Sequence, residues 1–150
     1  MPLDVLILRD PRESPKKCSL TPLRGTPGIR FVSFDKDRRC DAGSRIWLHP
    51  DGEELRPSER ARPLFLIDCA WRRVDALRAS VDGDLEPRRL PALVSAYPRK
   101  SKTFADPDRG LASIEALYAA LALLGDPRPE LLASYRWARE FLDKNPALPR

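Results

Sequence analysis

The sequence predicts an α/β fold, with strands in its first half and helices in its second. Short apolar runs bounded by turn residues occupy the first half, whereas apolar residues at helical spacing dominate the second, above all in residues 111–125. A chain of 150 residues and 17.0 kDa is long enough to bury the core of one domain. We therefore expect an N-terminal α/β part over residues 1–80 and a helical C-terminal part over residues 81–150, packed as one compact unit.

Four segments of the first half are predicted strands. Residues 3–8 form a short apolar run, and residues 28–34, GIRFVSF, alternate apolar with polar side chains. Residues 44–55, SRIWLHPDGEEL, contain a short strand that ends at the turn Pro50-Asp51-Gly52. Residues 64–67 are continuously apolar, which is typical of a buried parallel strand.

The pattern becomes helical from Ala70 onward, where Trp71, Val74 and Leu77 recur at three-residue steps. Residues 80–87, SVDGDLEP, are predicted to form a loop. The next segments are a helix-like or irregular stretch, RRLPALVSAYP, over residues 88–98 and a long charged loop over residues 99–110.

The clearest helix lies in LASIEALYAALALLG, where Leu111, Ile114, Leu117, Leu121 and Leu124 form an apolar stripe that ends before a glycine. A last helix is predicted over residues 129–144 and is ended by an Asn-Pro pair.

Composition narrows the functional class. The formal net charge of +5, from 27 basic and 22 acidic residues, favours an anionic partner, nucleic acid first. No apolar run is long enough to span a bilayer, so we expect no membrane partner. One histidine and no Cys-x-x-Cys pair predict that no metal is bound. Three widely spaced cysteines, without a signal peptide, predict reduced thiols in the cytoplasm.

The residues next to the predicted strand at 64–67 are the first candidates for chemistry. Ligands of open α/β sheets bind beyond the carboxyl ends of strands, and Ile67 and Asp68 occupy such an end. Asp68 is either a base or orienting group, or an N-cap for the following helix. Trp71 is either a wall of a ligand site or a core residue, and burial favours an inert thiol at Cys69.

Basic residues around the long loop are candidates for phosphate contacts. Six basic and four acidic residues lie between Asp84 and Arg109. Such charges either face solvent or bind RNA phosphates. The predicted RNA-binding residues are Arg88, Arg89, Arg99, Lys100 and Lys102.

Six segments, taken in order, resemble one family. They are PKKCS (15–19), LRPSER (55–60), IDCAW (67–71), RRLPALVSAYP (88–98), LASIEALYAAL (111–121) and YRWAREFLDKN (135–145). They resemble the ribosome-biogenesis family of S-adenosylmethionine-dependent aminocarboxypropyltransferases that act on small-subunit rRNA. The chain departs from the family at Ser19, where threonine is usual, and in its longer loop at 96–110. Its short, divergent sequence suggests a bacterial member.

The resemblance implies a SPOUT-like fold with a knotted backbone, and S-adenosylmethionine as the cofactor. It places the hydroxyl and amide of Ser19 at the amino-acid carboxylate, Ile67 at the ribose and Leu90 at the adenine. Trp71 would screen the methyl group, and Arg109 would supply a further contact.

The implied reaction transfers the aminocarboxypropyl group to the N3 atom of a uridine or pseudouridine that is splayed out of its stack. Asp68 is the predicted catalytic residue. The expected partner of a monomeric enzyme is small-subunit rRNA or the pre-ribosomal small subunit. Two alternatives remain open from the sequence: a non-catalytic RNA-binding assembly protein and an S-adenosylmethionine-dependent RNA methyltransferase.

Overall fold

The computed structural model describes residues 2–14, 18–98 and 111–150. In these residues a five-stranded parallel sheet has the strand order β2-β1-β4-β3-β5. The strands are β1 (Val5–Arg9), β2 (Ile29–Ser33), β3 (Cys40–Glu54), β4 (Leu64–Asp68) and β5 (Val81–Arg89). The α/β class and the strands predicted around residues 3–8, 28–34 and 64–67 are confirmed.

Three α-helices accompany this sheet in the described residues. They are α1 (Val74–Arg78), α2 (Ser113–Leu123) and α3 (Ala138–Lys144). Short 3-10 turns at Thr21–Leu23, Pro57–Glu59, Trp71–Arg73 and Pro129–Leu132 connect the larger elements. None of the helices that the structure describes is long and apolar enough to cross a membrane.

The sheet separates two hydrophobic clusters. Side chains alternate along β1, so Val5 and Ile7 pack with α2 whereas Leu6 and Leu8 pack with Leu77 of α1. All five residues of β1 are buried, because β2 and β4 flank its two edges and a hydrophobic cluster covers each face. The α2 side and the α1 side of the sheet are therefore distinct environments.

The register of the two central strands positions polar residues at one edge. β1 and β4 pair in parallel from Val5 opposite Leu64 to Arg9 opposite Asp68. Their last residues are thus direct neighbours, and both side chains follow the alternation onto the α2 side, where they meet Cys18.

The prediction of a loop over residues 80–87 is wrong, because Val81–Arg89 forms the strand β5, which pairs with β3. Most of its side chains are exposed or half-buried, as in an edge strand, so its sequence lacks the apolar pattern of an inner strand. Pro87 is tolerated at such an edge. The division expected at residue 80 precedes this strand, so residues 81–89 belong to the sheet and helices follow only after it.

The strand predicted within residues 44–55 is longer in the structure than expected. β3 runs from Cys40, and the predicted turn at residues 50–52 becomes a register shift between Leu48 and Glu53 rather than the end of the strand. A Cβ atom on Gly52 would collide with the backbone of Pro87, so the shift requires glycine there.

The last predicted helix, residues 129–144, is divided. Its first part is the 3-10 turn Pro129–Leu132, and its second part is α3, which begins at Ala138. Between them the rings of Tyr135 and Trp137 lie 5.8 Å apart between centroids, and Trp137 also packs edge-on against Tyr97 at 5.3 Å. These tertiary contacts accompany the break in the helix.

Candidate active site

The carboxyl ends of parallel strands meet at one edge of the sheet, where ligands of α/β folds commonly bind. Asp68 ends β4, Arg9 ends β1, and Leu90 directly follows β5. The sheet topology therefore places these residues along one edge, with Arg9 and Asp68 on adjacent strands and Leu90 beyond β3, after the outer strand β5.

Asp68 is held by donors from other segments. Arg9 Nε donates to Asp68 Oδ2 at 3.2 Å, and the Cys18 thiol donates to the same oxygen at 2.8 Å. Arg9 Nη2 also donates to Cys18 Sγ at 3.2 Å. The side chains of Arg9 and Asp68 are only 11% and 12% exposed, so water screens this ion pair weakly.

The alternative role of Asp68 as a helix cap is not observed. The 3-10 turn that follows begins at Trp71, its N-cap is Ala70, and no side chain caps it by a hydrogen bond. The carboxylate instead contacts the segment around Cys18. Asp68 is therefore available for a role at the sheet edge.

The cysteines near this edge keep their protons at neutral pH. Burial, followed by the hydrogen bond to Asp68, raises the pKa of Cys18. Burial, followed by the charges of Asp10 and Asp68, raises the pKa of Cys69 to about 12. A thiol that stays protonated is a poor nucleophile, in agreement with the inert Cys69 expected from sequence.

Ile67 and Trp71 lie together on the α1 side of the sheet. They line a small pocket of about 40 Å³. The other lining residues are Trp47, Leu48, His49, Cys69 and Val74. His49 lies between two indoles, with ring centroids 4.4 Å from Trp47 and 5.9 Å from Trp71. Trp71 is half-buried, so it forms a pocket wall rather than part of the sealed core.

Ser19 lies on the α2 side and contacts the start of α2. Its hydroxyl oxygen accepts a hydrogen bond from the amide of Ile114 at 3.1 Å. This contact satisfies an amide in the first turn of the helix, which lacks a partner within the helix itself. One acceptor position of the Ser19 hydroxyl is thus used by the fold.

Leu90 begins an irregular segment, residues 90–98, that packs on the larger hydrophobic cluster. Glu115 of α2, fully buried, accepts hydrogen bonds from Ser95 Oγ at 2.6 Å and the Ala96 amide at 3.0 Å. Asn145 exchanges two hydrogen bonds of 2.8 Å with the backbone of Val94. Side chains after residue 110 therefore fix the segment that carries Leu90.

Two of the predicted RNA-binding residues have partners inside the protein. Arg88 Nε donates to Glu59 Oε2 at 2.9 Å, and its Nη2 donates to Glu86 at 3.1 Å. Arg89 Nη1 donates to the carbonyl of Gly52 at 2.9 Å. The predictions for Arg99, Lys100, Lys102 and Arg109 fall outside the described residues.

A family model described as ribosome biogenesis protein, C-terminal, matches residues 48–148, which is more than half of the chain. The chain belongs to this ribosome biogenesis family. The resemblance drawn from the sequence segments is thereby confirmed.

Relatives within this family are similar over most of their length. A 16S rRNA aminocarboxypropyltransferase from Vulcanisaeta distributa is 34% identical over 151 residues, which cover 92% of this chain and 75% of the relative. The solved structure of the SAM-dependent rRNA:acp-transferase Tsr3 from the same organism superposes with a TM-score of 0.75 at 32% identity. The match covers 98% of this chain and 80% of that one.

Several residues of this family member were not singled out by sequence reasoning. Arg9, Cys18, Trp47 and His49 contact predicted site residues or line the same pocket, and Glu115 contacts the segment that follows Leu90. Glu115 carried no complete capping-box signature in the sequence, because the N-cap Ala112 has no side-chain oxygen, and only its own carboxylate reaches back to the Ala112 amide. Arg9, Trp47 and His49 become neighbours of the site through the pairing of β1 and β3 with β4, and Cys18 does so through its side-chain contact with Asp68.

Proposed function

We propose that this member of the ribosome biogenesis family transfers the 3-amino-3-carboxypropyl group of S-adenosylmethionine to a uridine or pseudouridine of small-subunit rRNA. The observation that carries this function is the match of 98% of the chain to an S-adenosylmethionine-dependent rRNA acp-transferase at 32% identity. The match by sequence to a 16S rRNA aminocarboxypropyltransferase supports the same reaction.

The residues at the sheet edge fit S-adenosylmethionine, the cofactor of this reaction. The pocket beside Trp71 is about 40 Å³, far below the roughly 300–1,000 Å³ of sites that enclose a drug-sized ligand, so it suits a methyl group rather than a nucleoside. Its indole walls are apolar and favour a neighbouring cation such as a sulfonium. Ile67 lines the same pocket, and Ser19 and Leu90 lie near the same edge on the α2 side.

Selectivity of the transfer depends on which carbon of the cofactor is exposed. When bound, S-adenosylmethionine supplies a sulfonium with three electrophilic carbons. Trp71 would cover the methyl group, so that the aminocarboxypropyl methylene is the carbon presented to RNA. Ser19, Ile67, Leu90 and Arg109 are the proposed binding contacts beside it.

Asp68 is the proposed catalytic residue. Arg9 and Cys18 donate to Oδ2, and no hydrogen bond within the described residues engages Oδ1. We assign Oδ1 to accept the N3 proton of the target base, or to orient that N–H group, as the base attacks. Arg9 and Cys18 would keep the carboxylate in place during this step.

The finer features of the family belong to the same proposal. A SPOUT-like knotted backbone is supported by the family match and the structural superposition. The two-part organisation, 1–80 and 81–150, stays a proposal: the contact of Ser19 with Ile114 supports its packing as one unit, whereas β5 belongs to the sheet of the first part. The proposed setting is a cytoplasmic monomer acting on the pre-ribosomal small subunit. Bacterial origin stays a prediction.

The cofactor assignment is tested by titrating the pure protein with S-adenosylmethionine in a calorimeter. We expect saturable binding, and a Trp71→Ala variant that binds about tenfold more weakly because an indole wall is lost. Glu140→Ala, a change at an exposed residue of α3, is the control and should retain affinity. Absence of any binding heat from the wild-type protein would contradict the assignment.

The reaction is tested by mass spectrometry of small-subunit rRNA from a strain that lacks the gene. The expected loss is one aminocarboxypropyl group, restored by the wild-type gene. Loss of a methyl group would instead indicate a methyltransferase. Unchanged rRNA together with defective subunit assembly would indicate a non-catalytic assembly protein.

A further inference from the structure

A second concave surface lies at the carboxyl ends of β1 and β2, on the α1 side of the sheet. This groove has a volume of about 580 Å³, which is in the range of sites for nucleotide-sized ligands. Most of its walls come from residues that follow β1 (Pro11, Arg12), from the last residue of β2 (Ser33) and from the residues after it (Phe34, Asp35, Lys36, Arg38). Arg73 and Ala76 complete it from the side of α1.

The groove is lined by four basic residues and one acidic residue. Arg73 is paired with the buried carboxylate of Asp10. Arg12, Lys36 and Arg38 are exposed, and none of the three has an ion-pair partner within the described ranges. Their charges are therefore available to an external anion.

The acidic side chains beside these cations do not pair with them. Asp35 Oδ1 accepts the amide of Asp37 at 2.9 Å, which shapes the turn that carries Lys36. Asp37 itself is exposed. The turn thus holds Lys36 and Arg38 at the rim without neutralising them through a direct contact.

The groove and the candidate active site are built from neighbouring residues of the same segments. Arg73 stands two residues after Trp71 on the same 3-10 turn, and Asp10 directly follows Arg9. Arg88 of the predicted RNA-binding set has its charge engaged by Glu59 and Glu86. Among the described residues, the groove therefore offers unpaired cations on the α1 side of the sheet, next to the turn that carries Trp71, whereas Asp68 faces the α2 side.

We propose that this groove binds the phosphodiester backbone of the single-stranded rRNA segment that carries or flanks the target base. The identity of the ligand as rRNA rests on the proposed function. Arg12, Lys36 and Arg38 contact phosphates, which supply affinity and orientation and read no base sequence. Phe34, whose ring lies 5.7 Å from the Arg73 guanidinium carbon, forms the apolar floor.

The test is a triple variant, Arg12→Gln, Lys36→Gln and Arg38→Gln, titrated against fluorescein-labelled oligouridine by anisotropy at several salt concentrations. Each phosphate contact on a single strand contributes about 0.7 to the slope of log affinity against log salt, so the slope should fall by about two. Affinity at low salt should fall at least tenfold, since three phosphate contacts are lost.

A matched control removes the same charge elsewhere. Arg60→Gln, Arg139→Gln and Lys144→Gln change three exposed basic residues outside the groove. The control variant should keep most of the wild-type slope of log affinity against log salt. Both triple variants should keep the circular dichroism spectrum of the folded wild type. Equal losses in the two variants, or no loss in the groove variant, would overturn the groove assignment.

Calorimetry separates this inference from the proposed function. The groove variant should bind S-adenosylmethionine as the wild type does, because its three side chains are not cofactor contacts. If the wild type binds oligouridine through the groove and no cofactor, the transferase function fails and the groove stands. If it binds cofactor while the groove variant retains RNA affinity, the groove fails and the transferase stands.

Discussion

At the scale of single residues, Asp68 shows how a strand end becomes a candidate catalytic group. One carboxylate oxygen receives the Arg9 guanidinium and the Cys18 thiol, and both donors come from segments more than 45 residues away in sequence. Donors fixed by the packed strand pair and its adjoining segment hold a side chain more firmly than water does. The carboxylate is thus oriented before any substrate arrives.

We expect Asp68→Asn to reduce the transfer rate by about 10²–10⁴-fold, because the amide oxygen is a much weaker base than a carboxylate. Cofactor affinity should change little, since the proposed cofactor contacts are elsewhere. Single-turnover transfer to rRNA and calorimetry measure the two quantities. Asp84→Asn, an exposed carboxylate on β5, is the control. A variant with wild-type rate would remove Asp68 from the mechanism.

The thiol of Cys69 should react slowly with iodoacetamide in the folded protein. Its pKa is raised to about 12, chiefly by burial, so the thiolate fraction stays low where an ordinary cysteine is already ionised. Because the proton is retained to higher pH, the rate should keep rising from pH 9 toward pH 12. Site-resolved mass spectrometry measures it, with urea-unfolded protein as the fast reference. Equal rates in both states would contradict the prediction.

At the scale of elements, the first turn of α2 connects the two segments proposed to hold the cofactor. The Ile114 amide donates to Ser19, and Glu115 accepts from Ser95, the Ala96 amide, the Ala112 amide and Tyr135. A buried carboxylate with four donors is a satisfied group, and its loss leaves several donors without partners. This helix terminus therefore sets the spacing between the segments.

We expect Glu115→Gln to lower the free energy of unfolding by about 2 kcal/mol or more, since an amide cannot accept all four hydrogen bonds. It should also weaken S-adenosylmethionine binding at a temperature where the variant is fully folded. Urea unfolding and calorimetry provide the two readouts. Tyr118→Phe, on the same helix, removes only a 3.4 Å contact to Pro149 and serves as the control. Unchanged cofactor affinity would mean that Glu115 acts on stability alone.

At the scale of the whole molecule, the described surface offers little apolar area for self-association. Val94, with 53% exposure, is the exposed large hydrophobic residue among the described positions. Stable homodimers bury extensive and more apolar interfaces. A net charge of +5 adds mutual repulsion between copies.

We therefore expect a monomer in solution, with a light-scattering mass near 17.0 kDa. Val94→Ser should leave this mass unchanged. A concentration-independent mass of twice this value for the wild type would show that an interface exists despite the polar surface.

The hydrophobic pattern of the sequence was enough to predict part of the fold and part of the candidate site. The apolar run of β4 and the stripe of α2 were both predicted, because burial on a repeating element leaves a periodic trace in the sequence. The same run predicted that Asp68 and Ile67 lie at a strand end. The family resemblance followed from ordered segments such as IDCAW, which need no three-dimensional knowledge to read.

The sequence by itself determined the α/β class, the family and the strand end at Ile67 and Asp68. Only the tertiary structure decided that the polar residues of β5 form a strand, and that Arg9 and Cys18 converge on Asp68. The physical reason is the sequence separation of the residues that interact. Periodicity records which side of its own element a residue faces, whereas an edge pairing or a polar contact across 50 residues depends on how separate elements assemble.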